Sequence, residues 1–187
     1  MDPDLPLMQA LQAGDDSALN ELINRHREPL FHFVLRYLRN EILGREVVQE
    51  TFVRVYFKAK GFEPRSSVKT WIYAIALNLC RDQSRRSKKQ QREISLDGPG
   101  LGSLPPMELE DAAPSPGEQA GQNDRFAGLQ RAIEQLPYKL KEALVLFSLQ
   151  GCSQHEAADI LGTTPKTVET RVYQAKEKLR KLIGTSL

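Results

Sequence analysis

The amino-acid sequence predicts an all-α fold, with two small helical domains joined by a flexible linker and a helix-turn-helix in the second domain. Apolar residues recur three and four positions apart in both halves of the 187-residue chain, and no stretch alternates strictly between polar and apolar residues as a half-buried strand does. The composition also changes abruptly after residue 94. We therefore assign residues 5–94 to a first domain, 95–124 to an acidic linker and 125–187 to a second domain.

The bulk composition is typical of a globular protein, with 40% hydrophobic and 27% charged residues. The net charge is only +2, so the overall charge does not demand an anionic partner. Cys80 and Cys152 are too few for a disulfide framework, and we expect buried thiols. The N-terminus lacks a secretory signal, and the longest apolar run, Trp71 to Leu77, is far below the roughly 20 residues that span a bilayer. These features favour a cytoplasmic protein.

The linker is defined by its charge and its helix-breaking residues. From Leu96 to Asp124 there are five prolines, five glycines, six carboxylates and no lysine or arginine. Just before it, residues 81–92 carry six cations and one acid. The linker segment cannot bury enough apolar surface to offset its chain entropy. The sequence therefore predicts a basic helix end followed by an extended acidic tether.

Three long helices are predicted in the first domain. The first begins at the cap candidates 15–17, and Pro29 should kink it or split it in two. The second runs from about residue 43 to residue 60. A loop at 62–67 follows, and Ser67 can cap a third helix that continues into the basic stretch. The inward-facing positions are Leu19, Leu22, Leu30, Phe33, Val34, Tyr37 and Leu38, then Val47, Val48, Phe52, Val55 and Tyr56, then Val68, Trp71, Ile72, Ile75, Ala76 and Leu79.

Four shorter helices are predicted in the second domain. Pro137 separates the first from the second, and Ser153 to Glu156 form a capping box at the start of the third, which ends at Gly162. The last helix has Thr164 as its N-cap and Pro165 at its first position. Helices one and two are lined by Phe126, Leu129, Ile133, Leu136, Leu140, Leu144 and Phe147.

The last two helices have the pattern of a helix-turn-helix. A small Ala158 and the turn at Gly162 allow two helices to cross closely, and Val168 packs the second helix onto the first. The opposite face offers groups that read base edges and phosphates, and the helix start leaves free N–H groups for a phosphate. A solvated helix of a small bundle is the alternative interpretation. The outward-facing residues are Lys166, Thr170, Tyr173 and Gln174.

Three stretches together resemble bacterial sigma factors of the extracytoplasmic-function group within the sigma-70 family. They are "VVQETFVRVYFKAKGF", then "SSVKTWIYAIALNLCRDQSRR", then the last two helices with "TVETRVYQAKEKLR". The resemblance covers about residues 15–92 and 125–183. It implies a promoter-specificity subunit with no catalysis of its own, no metal and no cofactor.

The resemblance also implies a role for each surface. The helix near residues 47–56 would dock on the clamp coiled coil of RNA polymerase, through Glu46, Val47, Val48, Gln49, Glu50, Phe52 and Val53. The loop 62–69 and the following helix would separate and hold the −10 element, through Phe62, Arg65, Ser66, Ser67, Lys69, Trp71, Tyr73, Asn78, Arg81, Arg85 and Arg86. The last helix would read the −35 element, through Thr164, Lys166, Thr167, Thr170, Arg171, Tyr173, Gln174 and Lys176.

Elementary chemistry agrees with these roles. An aromatic face stacks on any unpaired base, and repeated arginines make a phosphate footprint that weakens with salt. Core packing is the open alternative for Trp71. The linker either threads the basic channels of the polymerase or serves as a solvated tether.

Two departures from the family pattern bear on partners and promoters. Leu43 and Arg45 stand where carboxylates are common, so the polymerase-docking face has less negative charge. One hypothesis is that a kinase adds charge by phosphorylating Thr51 or a neighbour. Glu169 and Gln174 stand where the family often has basic residues, which suggests a different promoter sequence. Most members of the family are also held inactive by an anti-sigma factor.

Other function classes explain the sequence less well. The three histidines, His26, His32 and His155, are scattered, and no glycine-rich phosphate loop occurs, so an enzyme is disfavoured. A helix-turn-helix regulator that acts without being a polymerase subunit is the main alternative. It would need no basic, aromatic helix ahead of its linker. A purely structural protein would need neither motif.

Overall fold

The computed structural model describes residues 2–96 and 128–184, and the regular secondary structure within these residues is helical throughout. These residues form two compact units, one on either side of the undescribed stretch, and each is described by itself. The all-α class is confirmed. Phe126 and the predicted linker from residue 97 to residue 124 lie outside the described residues. Cys80 and Cys152 are buried thiols that form no disulfide, as expected.

The first unit contains four helices, α1 (Leu5–Gln12), α2 (Ser17–Leu38), α3 (Glu41–Lys58) and α4 (Val68–Leu96), with a 3-10 turn at Ala59–Gly61. The three long helices pack against one another, and α1 packs on α2. Burial of a large apolar side chain contributes about 1.5–3 kcal/mol, so this shared core is the main source of stability. Its fully buried members include Met8, Leu22, Leu30, Phe33, Val34, Val55, Val68, Ile72, Ala76 and Leu77.

Helix α2 is one continuous helix over the stretch that the sequence pattern predicted. At its start, the hydroxyl and the backbone N–H of Ser17 both donate to the Asp15 carboxylate, at 2.5 and 2.9 Å, and they lower the pKa of Asp15. The helix then runs through Pro29 without being divided, so of the two expected outcomes, a kink or a split, the split is wrong. Pro29 itself is exposed, whereas Leu22 and Leu30 on either side of it are fully buried in one core. Tertiary packing therefore outweighs the local preference of proline.

Helix α3 begins two residues earlier than expected. The Asn40 side chain caps it by accepting a hydrogen bond from the backbone N–H of Leu43 at 2.9 Å. The α-helix ends at Lys58, and the last turn tightens into the 3-10 turn. Tyr56, which was expected to face inward, is 42% exposed, so that expectation is wrong.

Helix α4 carries the core at one end and the basic stretch at the other. Its start confirms the predicted cap, since the Ser67 hydroxyl accepts a hydrogen bond from the backbone N–H of Thr70 at 3.1 Å. The preceding residues 62–67 lie outside regular helix, as predicted. The helix continues to Leu96, two residues past the predicted end of the first domain.

The second unit contains helical residues 128–134, which we call α5, then α6 (Tyr138–Leu144), α7 (Gln154–Leu161) and α8 (Pro165–Gly184). The four predicted helices are therefore present. After α6 the chain widens into a π-helical turn at Val145–Leu149 before it reaches Gly151. Helices α5, α6 and α8 share a core made of Ala132, Leu136, Leu140, Leu144, Ala175 and Leu179.

Helices α7 and α8 form the predicted helix-turn-helix. The capping box is present, because Ser153 accepts from the Glu156 backbone N–H at 3.1 Å and the Glu156 carboxylate accepts from the Ser153 N–H at 2.8 Å. Gly162 ends α7 with φ +61°, a left-handed conformation that glycine adopts easily. The Thr164 hydroxyl caps α8 by accepting from the Thr167 N–H at 3.2 Å. Ala158 and Val168 are buried where the two helices meet.

Candidate nucleic-acid interface

One face of α4 presents polar and aromatic side chains to solvent. Trp71, Asn78, Arg81 and Arg85 follow one another at spacings of seven, three and four residues, which places them on one side of a helix. Asn78 and Arg85 are exposed, and Trp71 and Arg81 are half-buried. A guanidinium nitrogen of Arg81 donates to the Asn78 side-chain oxygen at 3.1 Å. We call these four residues the α4 stripe.

Tyr73, which was expected beside Trp71 in the DNA-contacting set, does not belong to this stripe. It is 1% exposed, and its ring packs against that of Phe33 with centroids 5.3 Å apart. Two residues along a helix correspond to a rotation of about 200°, so Tyr73 lies on the buried face of α4, whereas Trp71 lies at the boundary between core and solvent. The assignment of the Tyr73 side chain to base contacts is therefore corrected to core packing.

The loop before α4 is closed by an aromatic pair. Phe62, at its first position, is 6% exposed and meets the Trp71 ring edge to face with centroids 5.2 Å apart. Phe62 therefore packs on the core side of the loop. Only the solvent-exposed part of the Trp71 side chain is accessible to another molecule. Arg65 is exposed near the loop tip and forms an ion pair with Glu63 at 2.7 Å. The other candidate residues here, Ser66, Ser67 and Lys69, are half-buried.

The basic end of α4 extends the stripe with cations. Arg85 and Arg86 are exposed, and Arg85 lies 3.8 Å from the Asp82 carboxylate. A solvent-exposed pair of this kind contributes little stability, so the Arg85 guanidinium can readily leave Asp82 and pair with a phosphate. The aromatic residue of the stripe and these cations thus lie along a single helix.

The outer face of α8 is as predicted. Lys166, Thr170, Tyr173 and Gln174 are exposed, and the Tyr173 side chain is 66% exposed. Lys176 and Thr164 are also exposed, whereas Thr167 and Arg171 are half-buried. The opposite face is anchored by Val168, Val172, Ala175 and Leu179.

Hydrogen bonds within α8 already occupy some of these polar groups. The Thr170 hydroxyl donates to the Lys166 carbonyl at 2.9 Å, and the Lys166 ammonium pairs with Glu169 at 2.9 Å. The Thr164 hydroxyl serves the helix cap. Tyr173 and Gln174 therefore offer the most adaptable donors and acceptors on this face, and Lys166 must exchange Glu169 for a phosphate.

The candidate protein-docking face lies on α3. Glu46, Gln49, Glu50 and Val53 are exposed, while Val47, Val48 and Phe52 are buried beneath them and hold the helix on the core. A groove of about 830 Å³ separates this face from α2. Its apolar lining includes Leu19, Ile23, Phe31, Val53, Tyr56 and Phe57.

Arg45, one of the departures from the family pattern, faces this groove with its charge partly offset. Its guanidinium pairs with the Glu41 carboxylate at 2.6 Å and lies over the Phe31 ring at 5.3 Å from the centroid. Glu50 is paired with Arg54 at 2.8 Å. The face therefore carries few uncompensated carboxylates.

The hypothesis of a kinase acting on Thr51 does not fit the structure. The Thr51 side chain is fully buried, and its hydroxyl donates to the Val47 carbonyl at 2.7 Å. A kinase cannot reach this hydroxyl in the folded unit, and a phosphate there would place about two negative charges in the core. Phosphorylation of Thr51 is therefore rejected as a source of charge for the docking face.

Two residues that contact the ends of the loop 62–67 could not be identified from the sequence. Gln12 and Asp2 contact the two ends of the loop 62–67 through hydrogen bonds that join residues 47 to 66 positions apart. No local pattern predicts such pairings, because they depend on how α1 packs on the rest of the unit.

Neither unit has, in its described residues, a helix with the length and apolar character required to cross a membrane. Likewise, no cluster of three metal-binding side chains occurs in residues 2–96 or 128–184.

Both units match established family models. Residues 22–90 match the model described as Sigma-70 region 2, and residues 127–179 match the model described as Sigma-70, region 4. The first match contains α3, the loop and most of α4, and the second contains the helix-turn-helix.

Relatives cover nearly the whole chain. The RNA polymerase sigma factor CnrH of Cupriavidus metallidurans is 30% identical over 186 residues, which are 97% of this chain and 95% of that protein. The ECF RNA polymerase sigma factor SigM of Mycobacterium tuberculosis is 28% identical over 181 residues, 97% of this chain and 85% of the relative.

Solved structures have the same fold. The structure of CnrH in complex with the cytosolic domain of CnrY matches with a TM-score of 0.70 and 25% identity, over 100% of both chains. The sigma factor RpoE of Bartonella quintana, solved with the anti-sigma factor NepR, matches with a TM-score of 0.63 and 20% identity, over 88% of this chain and 96% of that one.

Proposed function

The chain belongs to the extracytoplasmic-function group of the sigma-70 family of RNA polymerase sigma factors, and we propose that its two units divide promoter recognition between them. As a sigma factor it binds core RNA polymerase and directs transcription initiation at promoters. One observation carries the proposed division: each unit presents a separate face of polar, aromatic and cationic side chains on a helix that its own core holds in place. The first unit takes the −10 element and the second takes the −35 element.

The α4 stripe and the loop 62–67 act on the −10 element. The exposed part of Trp71 offers a stacking surface to an unpaired base, which contributes about 1–3 kcal/mol per base. Asn78 offers an amide to a base edge or phosphate, and the arginines at 81, 85 and 86 neutralise the backbone. Phe62 and Tyr73 contribute by supporting this surface from the core.

The outer face of α8 acts on the −35 element in the major groove. Gln174 and Tyr173 read base edges, while Lys166, Arg171 and Lys176 contact phosphates. Thr164, Thr167 and Thr170 support the first turn and offer their remaining lone pairs. Because Gln174 stands where the family often has a cation, we expect a base preference other than guanine at the position it contacts.

The exposed face of α3 docks on core polymerase, and the adjacent groove takes a regulator. Gln49, Glu46 and Val53 are accessible there, with Val47, Val48 and Phe52 as their support. The resemblance implies an anti-sigma factor, and the relative CnrH was solved with a second protein, the cytosolic domain of CnrY. We infer that a protein regulator of this chain competes with polymerase for the α3 face. The chain itself performs no catalysis. We infer that it acts in the cytoplasm, because its partner there is RNA polymerase.

The test is run-off transcription with core polymerase and genomic promoter fragments, followed by mapping of start sites. We expect initiation at defined starts that depends on the chain, and co-purification of the chain with core enzyme. If neither occurs, the proposal is wrong.

A helix-turn-helix regulator is the second candidate, and the same materials distinguish it. A regulator of that kind binds duplex promoter DNA without polymerase. We expect instead that the chain alone binds the mapped promoter weakly and that core enzyme is needed for a stable complex.

A further inference from the structure

The first helix of the chain contacts the start of the loop that precedes α4. The Gln12 amide nitrogen donates to the Ala59 carbonyl at 2.9 Å and to the Phe62 carbonyl at 3.0 Å. Only the NH₂ group of the amide can serve two carbonyl oxygens, so the orientation of this side chain is determined by its partners. One side chain thus bridges the 3-10 turn and the first residue of the loop.

The residues before α1 contact the other end of the same loop. A carboxylate oxygen of Asp2 accepts a hydrogen bond from the backbone N–H of Val68 at 2.7 Å. This N–H is one of the donors at the start of α4 that have no acceptor within the helix, and a carboxylate is favoured there by the helix dipole. Ser67 satisfies a second donor, that of Thr70. Asp2 therefore holds the residue at which the loop becomes helix.

Asp4 fixes this N-terminal segment on α2. It is 5% exposed, accepts from Arg25 at 3.1 Å and contacts the ring nitrogen Nε2 of His26 at 2.7 Å. Hydrogen bonds from Arg25 to Glu21 and to Asp4 raise the pKa of Arg25, whose guanidinium is charged at any ordinary pH. The segment from Asp2 to Gln12 is thus held on α2, and we call it the bracket. Its residues Asp2 and Gln12 contact opposite ends of one loop.

We propose that Asp2 and Gln12 are positioning residues for promoter melting, an inference that rests on the proposed role of the loop 62–67 at the −10 element. They contact no DNA themselves. They hold the loop in one conformation before DNA binds. The loop therefore loses little conformational entropy when a base is unstacked, and this entropy cost does not reduce the free energy of DNA binding.

The experiment compares Gln12→Ala and Asp2→Ala with the wild-type chain in complete holoenzyme. The template is a promoter fragment whose start site has been mapped with the wild-type chain, and the measurement is the rate at which −10 thymines become reactive to permanganate. We expect each variant to open the duplex about tenfold more slowly, which corresponds to about 1.4 kcal/mol in the barrier. Affinity for core polymerase should stay near wild type, and the thermal midpoint of the chain should fall only by the few degrees expected for the loss of one or two part-buried hydrogen bonds.

A second template separates positioning from a general loss of activity. The same fragment with a mismatched, already unpaired −10 segment reacts with permanganate from the outset, so on both templates the rate of run-off transcription is also measured. On the mismatched template the variants should transcribe at wild-type rates, because the step that the loop assists has been bypassed. Asp2→Asn keeps a side-chain oxygen for Val68 and should recover most of the duplex rate. Gln9→Ala alters an exposed glutamine of the same helix and is the matched control, with no expected effect.

The outcomes distinguish this inference from the proposed function. Wild-type rates for both variants on the duplex, or equal slowing on both templates, would overturn the positioning role while leaving the sigma-factor role intact. A wild-type chain that opens no promoter would instead remove the proposed function.

Discussion

At the scale of single residues, Thr51 separates a stability effect from a charge effect. Because its side chain is fully buried, Thr51→Glu should destabilise the first unit by at least about 3 kcal/mol, the penalty of an unpaired buried charge. Thr51→Val removes only the hydrogen bond to Val47 and should lose about 1 kcal/mol. Urea unfolding measures both.

The matched control for Thr51 is Gln49→Glu, which adds a charge at an exposed position of the same helix. Its unfolding free energy should stay within about 0.5 kcal/mol of wild type. If the docking face lacks negative charge, this variant should bind core polymerase more tightly, whereas Thr51→Glu should bind less because its unit is partly unfolded. A fully stable Thr51→Glu chain would contradict the buried position.

Tyr73 and Trp71 give a second contrast between neighbouring residues. Tyr73→Ala should lower the free energy of unfolding by about 3–5 kcal/mol, as for other large buried aromatic residues, since it leaves a cavity beside Phe33. Trp71→Ala removes a half-buried ring and should lose less than half as much stability. It should nevertheless weaken holoenzyme binding to a premelted −10 fragment by about tenfold. Equal stability losses for the two variants would argue against the assignment of their faces.

At the scale of elements, the turn of the helix-turn-helix depends on one left-handed residue. Gly162 has φ +61° and no atom within 4 Å of an added Cβ, so Gly162→Ala introduces backbone strain without a steric clash. We expect a loss of about 1–2 kcal/mol in the second unit and a smaller loss for Gly162→Asn. Gly128→Ala, in a helix with equally open space, should instead leave stability unchanged or raise it by up to about 1 kcal/mol. Thermal unfolding followed by circular dichroism compares the three, and equal shifts for Gly162→Ala and Gly128→Ala would contradict the strain.

Elements whose signals are local were predictable from the sequence. The capping box at Ser153, the Thr164 cap and the buried Val168 each depend on residues within one or two turns, and all three are present. A split at Pro29 does not occur, because the core on either side of the proline holds the helix together. The same limit applies to the site: the outer face of α8 follows from helical spacing, whereas the burial of Tyr73 and Thr51 depends on which face of α4 and α3 meets the core.

The bracket on the loop could not be predicted at all by such reasoning. Asp2 and Val68 are 66 positions apart, and a single hydrogen bond at that separation leaves no trace in composition or periodicity. What could be predicted is that Ser67 caps α4. The second cap from Asp2 requires knowing that the chain start lies beside that helix end.

At the scale of the whole molecule, we propose that two separate units act on one promoter. Trp71 and Gln174 lie in different units and share no partner, so their contributions to the free energy of promoter binding should be independent. We expect Trp71→Ala and Gln174→Ala each to reduce the equilibrium constant for promoter binding by holoenzyme about tenfold. The double variant should then show the sum of the two free-energy penalties within about 0.5 kcal/mol.

The same cycle decides between the two candidate functions, because a regulator that binds DNA through its helix-turn-helix alone has no use for Trp71. For such a protein Gln174→Ala would weaken promoter binding and Trp71→Ala would not. The substitution Gln9→Ala, at an exposed position of α1, serves as the control that should leave the equilibrium constant for promoter binding unchanged. Additive penalties require that both helices contact the DNA in the same complex, since independent effects on one binding constant arise only when both surfaces are engaged at once.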